Sequence, residues 1–334
     1  MKIIVDGFGG DNSPDAVLEG CLLAMEEYGV EIIVTGDRDK LIKSGKDNNL
    51  DISRIEIVQA QTIMPVEQDP TKISTEYADS SMAVAFKLLA EGKGDAMVCA
   101  GSTGAMVVGA SLFVKRIKGI KRASLAPILP CENGCYILMD AGANVVCRPE
   151  MLEQFAVMGS IYMEKIMGIK TPRVGLVNVG TEETKGTQLQ LDAYELLKNN
   201  SEINFSGNIE AREVPLGGAD VVVADGFTGN VILKLTEGLA KMLVNNLKGI
   251  FNSGIMSKFA AILVMKNLKD FKKSMDYTEY GGSPLLGISK PVIKAHGSSN
   301  AKAFKNAIRQ ARDFVQKDVN AEIILSLEKL KEKA

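Results

Sequence analysis

Short apolar runs recur along this chain, and most of them end in a small or polar residue followed by glycine. The six runs that we predict to be strands are Ile3–Asp6, Ile32–Thr35, Ala96–Ala100, Tyr136–Asp140, Val174–Asn178 and Val221–Asp225. Uninterrupted apolar runs of this length are typical of strands that are buried on both faces, as in parallel sheets covered by helices. The pattern therefore predicts an α/β fold with a largely parallel sheet.

Patterns of helical period follow most of these runs. The predicted helices are Asp15–Glu27, Glu76–Glu91, Ala105–Lys115, Glu150–Met167, Thr187–Lys198 and Val231–Ile250. Ser13 and Pro14 precede the first helix, where a cap and a first-turn proline belong. Residues 270–287 have the composition of a loop. Residues 300–333 indicate one or two charged amphipathic helices, which we expect to form a solvated cover over the sheet.

Five glycine-rich loops follow the predicted strands. They are Asp6–Asp11, Ala100–Gly104, Asp140–Asn144, Gly180–Gly186 and Asp225–Asn230. Ligands of open α/β sheets bind beyond the carboxyl ends of the strands. Glycine lets backbone N–H groups approach an anion, and the following helix N-termini add positive potential. Each loop alone could be an ordinary tight turn, but five at one edge of a sheet favour an anion site.

Composition places the chain among globular proteins, because 46% of its 334 residues are hydrophobic and 24% are charged. This length allows one large domain or two lobes. The net charge of −2 offers no general basic surface for nucleic acid. No apolar run approaches the roughly 20 residues that a membrane span requires. The first residues do not resemble a signal peptide, so we expect a cytoplasmic protein.

The five cysteines are odd in number and scattered, so we expect reduced thiols. Cys131 and Cys135 have a spacing that could suggest zinc. The chain contains a single histidine and no second cysteine pair to complete a ligand set, so no metal is expected.

Several well-known motifs are absent. The first loop fails the dinucleotide pattern because Asn12 stands where the third glycine is required. There is no Walker loop and no Gly-x-Ser-x-Gly elbow. The single histidine, His296, precedes Gly297 and Ser298. It could belong to an anion-binding turn or be an ordinary loop residue.

Six motifs, in order, give the chain a family resemblance. They are Val5–Asp11, Ala100–Ala105, Gly180–Gly186, Asp225–Val231, Tyr280–Gly287 and Lys294–Ser298. From its N-terminus to about residue 315 the chain resembles the bacterial phosphate acyltransferases of phospholipid synthesis. Two motifs depart from the family pattern: Asn12-Ser13-Pro14 replaces His-Ala-Pro, and Ser102 stands where asparagine is frequent. A histidine in the first loop therefore cannot be essential here.

The resemblance implies a single α/β enzyme domain over residues 1–334. The implied fold is three-layered and Rossmann-like, similar to phosphotransacetylases and to isocitrate and isopropylmalate dehydrogenases. The implied reaction moves a long acyl chain from acyl carrier protein to inorganic phosphate, with no cofactor. The acyl phosphate would then serve a membrane glycerol-3-phosphate acyltransferase. The resemblance also implies that the protein forms a homodimer.

The resemblance assigns catalysis to two residues, Lys185 and Asn230. Lys185 could hold a phosphate oxygen, and the Asn230 amide could donate to the developing oxyanion. They could equally be a solvated lysine and a helix cap. The positions expected to bind phosphate or substrate are Asp6, Gly9, Gly10, Asp11, Gly101, Ser102, Thr103, Gly104, Thr228, Gly229, His296 and Ser298.

Two further segments suggest surfaces. Lys115–Arg122 contains five cations in eight residues, which could steer the acidic carrier protein or could simply be solvated. Residues 241–273 contain seven lysines around an apolar stretch that Gly254 interrupts. We predict a protruding helical hairpin over residues 231–275 that contacts a second subunit and the inner face of an anionic membrane.

Two alternative functions remain at this stage. One is a phosphotransacetylase that uses short acyl-coenzyme A thioesters, and the other is a nonenzymatic scaffold associated with the membrane. A scaffold would have no reason to carry Lys185 and Asn230 in glycine-rich loops.

Overall fold

The structure is a computed structural model that describes residues 1–274 and 277–333. The described strands are β1 (Lys2–Asp6), β2 (Glu31–Gly36), β3 (Glu56–Gln59), β4 (Ala96–Cys99), β5 (Ser124–Leu125), β6 (Ile128–Cys131), β7 (Gly134–Met139), β8 (Arg173–Asn178), β9 (Asn204–Glu210), β10 (Val221–Val223), β11 (Ser283–Leu286) and β12 (Val292–Lys294).

Helices alternate with these strands. They are α1 (Asp15–Tyr28), α2 (Arg38–Asp47), α3 (Ser81–Ala90), α4 (Thr103–Gly109), α5 (Pro149–Lys165), α6 (Gln188–Asn199), α7 (Gly226–Asn252), α8 (Ile255–Leu263), α9 (Met265–Ser274), α10 (Ala301–Gln316) and α11 (Val319–Lys333). All six predicted strands and the predicted α/β class are confirmed.

The strands form two sheets, where the sequence pattern suggested one. A seven-stranded sheet has the order β3-β2-β1-β4-β12-β11-β5, and a five-stranded sheet has the order β6-β7-β10-β8-β9. Most neighbours are parallel, and the antiparallel pairs are β12 with β11, β11 with β5, and β6 with β7. Because β5 and β6 are separated by two residues, the chain passes directly from one sheet to the other at this point.

Helices cover both faces of the sheets, which gives three layers. In the seven-stranded sheet, α1 and α10 share a core with one face, and α3 and α4 share a core with the other. In the five-stranded sheet, α5 and α6 cover one face and the start of α7 packs on the other. The largest apolar core runs from α1 and α10 to α5 without a break, so both sheets share it.

The C-terminal helices differ from the predicted solvated cover. Helix α10 buries Phe304, Ala307, Ile308 and Ala311, whose spacing places them on one face of the helix. This face packs against α1 and the seven-stranded sheet. The cover is therefore a structural layer whose apolar face contributes to the main core.

Three other predicted elements have different limits. Helix α3 begins after Ser80, whose hydroxyl accepts a hydrogen bond from the Ala83 N–H, and not at Glu76. The predicted helix over Ala105–Lys115 is α4 followed by a π-helical turn, Ala110–Val114. The predicted loop at 270–287 contains the end of α9 and strand β11, while residues 275–276 lie outside the described ranges.

Residues 226–274 form three helices, where two were predicted. The first break is at Gly254, as the sequence suggested, and a second lies at Val264. Helix α8 buries none of its residues. In the part of the chain that the structure describes, no helix is both long enough and apolar enough to cross a membrane.

The start of α7 fits closely against the loop that follows β7. A Cβ atom at Gly229 would lie 1.9 Å from the Asp140 carbonyl oxygen, and one at Gly226 would lie 2.5 Å from that of Asn144. The Asp225 carboxylate accepts a hydrogen bond of 2.9 Å from the Thr228 N–H and so caps the helix. Glycine at position 229 is therefore required for the backbones to approach each other.

We predict opposite effects for two Gly→Ala substitutions within α7. Gly229→Ala should lower the free energy of unfolding by about 3 kcal/mol, because its methyl group would displace backbone. At Gly238 an added Cβ would have no neighbour within 4 Å. Gly238→Ala should instead stabilise by up to about 1 kcal/mol, through helix propensity. Urea denaturation of both variants checks this, and equal stabilities would contradict the close approach.

Candidate active site

The loop after β1 packs against the loop after β4 and the turn after β12 at the carboxyl end of the seven-stranded sheet. The Asp11 N–H donates to the Gly297 carbonyl at 2.7 Å. A Cβ at Gly9 would lie 2.6 Å from the Gly101 nitrogen, and one at Gly10, where φ is +95°, would lie 2.8 Å from the Gly297 oxygen. These glycines allow the three loops to converge.

Asp6 is buried beneath this convergence. Its carboxylate accepts hydrogen bonds from the Phe8 N–H at 3.3 Å and from the Cys99 thiol at 3.4 Å. Burial raises the pKa of Asp6, while hydrogen bonds, among them those from Phe8 and Cys99, and the charge of Lys294 act in the opposite direction. Burial also raises the pKa of Cys99, so this thiol is not a reactive thiolate.

Asp140 ends β7 and organises the loop on the other side. Its carboxylate accepts hydrogen bonds from the Leu125 N–H at 2.8 Å and the Asn144 N–H at 2.6 Å. It also accepts from the Ala143 N–H and the Ser124 hydroxyl, both at 3.3 Å. This one side chain fixes strand β5 and the loop after β7, which form one wall of the site.

Asn230 lies in the first turns of α7 and faces that loop. The position of a Cβ on Gly142 would be 3.4 Å from the Asn230 side-chain oxygen. Thr228 is oriented differently, because both its N–H and its hydroxyl donate to Asp225. Thr228 therefore has a capping role in this structure, and the cap holds α7 so that Asn230 lines a cavity.

Two adjoining cavities lie between the carboxyl ends of the sheets. The Asn230 cavity, of about 280 Å³, has a largely apolar wall that includes Leu125, Ile128, Val145 and Leu233. The Asp6 cavity, of about 400 Å³, is lined by residues of the first loop and of the loop after β4. The four residues that line both cavities are Thr103, Lys234, Lys294 and His296. The two cavities therefore meet at a basic junction.

The junction contains two lysines that the sequence reasoning missed. The Lys294 ammonium donates to the carbonyl oxygens of Ala100 at 3.1 Å and Ala295 at 2.6 Å, and burial lowers its pKa. Lys234 pairs with Glu237 at 2.8 Å. A sequence signal existed for Lys294, since a lysine directly after an apolar run is placed at a strand end.

His296 belongs to the same junction. The N–H of Ser298 donates to His296 Nδ1 at 3.2 Å, and the Ser298 hydroxyl lies 2.9 Å from that nitrogen. Burial lowers the pKa of His296, which favours the neutral ring. Since Nδ1 accepts a hydrogen bond, the ring proton of the neutral form lies on Nε2. Ser298 therefore orients the imidazole.

Comparison with known proteins identifies the family of this chain. A family model described as a fatty acid synthesis protein matches residues 1–322. A phosphate acyltransferase from Clostridium acetobutylicum is 46% identical over 331 residues, which cover 99% of this chain and all of the relative. One from Clostridium botulinum is 48% identical over 325 residues, which cover 97% and 96%. The chain belongs to the phosphate acyltransferase family.

Solved structures show the same fold at greater distance. A phosphotransacetylase from Streptococcus pyogenes has a TM-score of 0.63 at 20% identity and covers 95% of this chain and 94% of its own. One from Staphylococcus aureus has a TM-score of 0.61 at 19% identity, with coverage of 95% and 93%. This acyltransferase thus has the three-layer α/β fold of phosphotransacetylases, as the sequence resemblance implied.

Most of the predicted site residues of this acyltransferase lie at the cleft. Those that line one or both cavities are Asp6, Gly9, Gly10, Asp11, Gly101, Ser102, Thr103, Asn230 and His296. Ser102 also caps α4, since its hydroxyl accepts from the Ala105 N–H at 3.5 Å. The predicted residues outside both linings are Gly104, Lys185, Thr228, Gly229 and Ser298.

Lys185 lies in an exposed loop at the end of β8, the strand next to β10. Its carbonyl accepts a hydrogen bond from Asn178 at 3.0 Å, and the Glu182 carbonyl accepts one from Asn208 at 2.9 Å. The loop thus shares the carboxyl edge of the five-stranded sheet with Asn230. Its lysine does not reach either cavity in this structure.

Proposed function

We propose that this acyltransferase transfers a long acyl chain from acyl carrier protein to inorganic phosphate and so supplies acyl phosphate for phosphatidic acid and phospholipid synthesis. The observation that carries the proposal is the cleft, where a basic junction adjoins an apolar wall. A phosphate and an acyl chain need these two surroundings side by side. The family membership supports the same chemistry.

The reaction needs no nucleophilic side chain, because phosphate supplies its own oxygen. A phosphate oxygen attacks the thioester carbonyl carbon, the new C–O bond forms, and the C–S bond breaks to release the carrier thiol with its proton. The protein must hold both reactants and stabilise the oxyanion. In this proposal the Asn230 amide donates the hydrogen bond that stabilises the oxyanion. Lys185 would hold a phosphate oxygen after its exposed loop closes toward the cleft.

The basic run Lys115–Arg122 is the proposed docking surface for the carrier protein. Lys118 and Arg122 are exposed, and Lys121 pairs with Glu150 at 3.4 Å. The run leads directly into β5, whose Leu125 lines the Asn230 cavity. An acidic carrier that is bound here would be close to the cleft.

Helices α7 to α9 are proposed to contact a second subunit and an anionic bilayer at the inner face of the cell membrane. On α8 the exposed fractions of Ile255, Phe259 and Leu263 are 77%, 64% and 86%. Apolar side chains surrounded by lysines are what a bilayer surface binds. Release of acyl phosphate there would bring it to a membrane glycerol-3-phosphate acyltransferase.

One incubation separates this function from its two alternatives. Protein, phosphate and a long-chain acyl carrier protein are mixed, and acyl phosphate is trapped with hydroxylamine. The proposal expects efficient, phosphate-dependent formation of acyl hydroxamate from the carrier thioester and little from a short acyl-coenzyme A. The hydroxamate that each thioester forms directly with hydroxylamine in the absence of phosphate is subtracted. The reverse preference would indicate a phosphotransacetylase, and no product from either donor would favour a nonenzymatic scaffold.

Asn230→Ala and Lys185→Ala should each lower kcat by about 10²-fold, the usual loss when one transition-state donor is removed. Both variants should fold, because neither side chain is part of the core. The steady-state rate with saturating donor checks this. A folded variant with parental kcat would disprove the role of the residue that it lacks.

Reversal of charge in the basic run tests docking of the carrier. Lys118→Glu, Lys121→Glu and Arg122→Glu combined should raise the KM for acyl carrier protein about tenfold at low salt, with little change in kcat. A matched control reverses Lys93, Lys170 and Lys317, which lie outside the run. An equal KM for parent and run variant at low ionic strength would place docking elsewhere.

Substitution of exposed apolar side chains on α8 tests membrane contact. Ile255→Asp, Phe259→Asp and Leu263→Asp combined should abolish sedimentation with anionic liposomes and preserve much of the activity in solution. The control places Asp at Val179, Leu216 and Leu325, three exposed apolar positions outside α8. Analytical ultracentrifugation reports the subunit state. If the triple α8 variant sediments with liposomes like the parent, α8 is not the anchor.

A further inference from the structure

Lys294 occupies the point at which the two cavities meet. It ends β12, paired in register with Cys99 of β4. Its ammonium has three N–H groups, and two of them are directed at the carbonyl oxygens of Ala100 and Ala295. These carbonyls fix the side chain, and the remaining donor is available on the side of the cleft.

The positive charge of Lys294 has no close counter-ion. Within the described ranges, no carboxylate oxygen lies within 4.0 Å of its Nζ atom. The carboxylates of Asp6 and Asp11 raise the pKa of Lys294 from farther away, and the like charge of Lys234 lowers it. A cation withdrawn from water without a partner is unfavourable, and an anion that binds beside it removes that cost.

We propose that Lys294, assisted by Lys234, binds the inorganic phosphate that is consumed in the reaction. The proposal rests on the function proposed above and adds to it a phosphate ligand inside the cleft, besides the Lys185 that we propose for one phosphate oxygen. Lys234 already forms an ion pair with Glu237, so Lys294 provides the principal cationic contact with phosphate. Phosphate at this junction would lie between the Asp6 cavity and Asn230, next to the wall that suits the acyl chain.

This position makes phosphate binding sensitive to alkaline pH. Burial lowers the pKa of the Lys294 amine; the facing groups are Cys99 on β4, Asp6 on β1, Asp11 in the first loop and Lys234 on α7. His296 lies in the adjoining turn. As the pH rises through the lowered pKa, the ammonium loses its charge and phosphate should dissociate. The titration of phosphate itself is the same for the parent and for a Lys294 variant, so the difference between their pH profiles reports the protein.

The test measures binding of radioactive inorganic phosphate to the intact protein by equilibrium dialysis, with no acyl donor present. Lys294→Met should raise the Kd for phosphate about tenfold or more, the size of one lost charged hydrogen bond. The KM for phosphate should rise similarly. The alkaline fall in affinity that the parent shows should be absent from the variant. Lys302→Met, at an exposed lysine that pairs with Glu279, should bind phosphate like the parent.

The outcomes separate this proposal from the proposed function. Parental protein that binds phosphate but forms no acyl phosphate refutes the function and leaves the binding site supported. A folded Lys294→Met protein whose Kd and KM for phosphate stay within about twofold of the parent overturns the assignment. Should Lys294→Met fail to fold, Lys294→Gln keeps a donor for the Ala100 and Ala295 carbonyls, and the same two constants decide.

Discussion

The site depends on the hydrogen bonds that Asp140 accepts at the joint between the two sheets. Leu125 belongs to β5, an edge strand of the seven-stranded sheet, whereas Asp140 ends β7 of the five-stranded sheet. Burial raises the pKa of Asp140, and the hydrogen bonds from Asn144, Leu125 and Ala143 act in the opposite direction. Loss of the carboxylate would leave those donors unsatisfied. The same residue presents its carbonyl to Gly229, so the position of α7 also follows from it. The wall of the Asn230 cavity exists because these three elements meet there.

The opposite wall follows another constraint, the close approach of loops that carry little side-chain bulk. Gly9 and Gly10 let the loop after β1 approach the backbone of Gly101, after β4, and of Gly297, in the turn after β12. Under them lie the buried carboxylate of Asp6 and the ammonium of Lys294. One wall of the cleft is thus fixed by the hydrogen bonds of Asp140, and the other consists of closely packed glycine-rich loops. The charged groups of the cleft are concentrated at the junction between these walls. An anionic reactant and an apolar reactant can therefore share one cleft.

Much of this could be predicted from the sequence, because strands buried on both faces leave continuous apolar runs. The loops were found for the same reason, since each follows such a run. The division into two sheets could not be predicted, because it depends on long-range pairing of short strands such as β5, which has two residues. Lys294 directly follows Val292 and Ile293, which marks a strand end, but its place between the two cavities depends on how β12 pairs with β4 and could not be predicted. The burial of α10 was readable from the spacing of Phe304, Ala307, Ile308 and Ala311. Sequence suggested Lys185 only through resemblance, and its catalytic role remains a prediction.

Helix α7 connects the site to the proposed membrane surface. Its 27 residues extend over about 40 Å at 1.5 Å per residue, yet its buried residues are Gly226, Gly229 and Ile232, all in the first two turns. Beyond them, Leu239, Leu243 and Ile250 are exposed. Most helical stability in proteins comes from packing of an apolar face. The exposed apolar side chains of this helix therefore support the proposed contact with a second subunit or a bilayer. Because Asn230 and Lys234 lie on the same helix, such a contact would also restrain the residues that face the cleft.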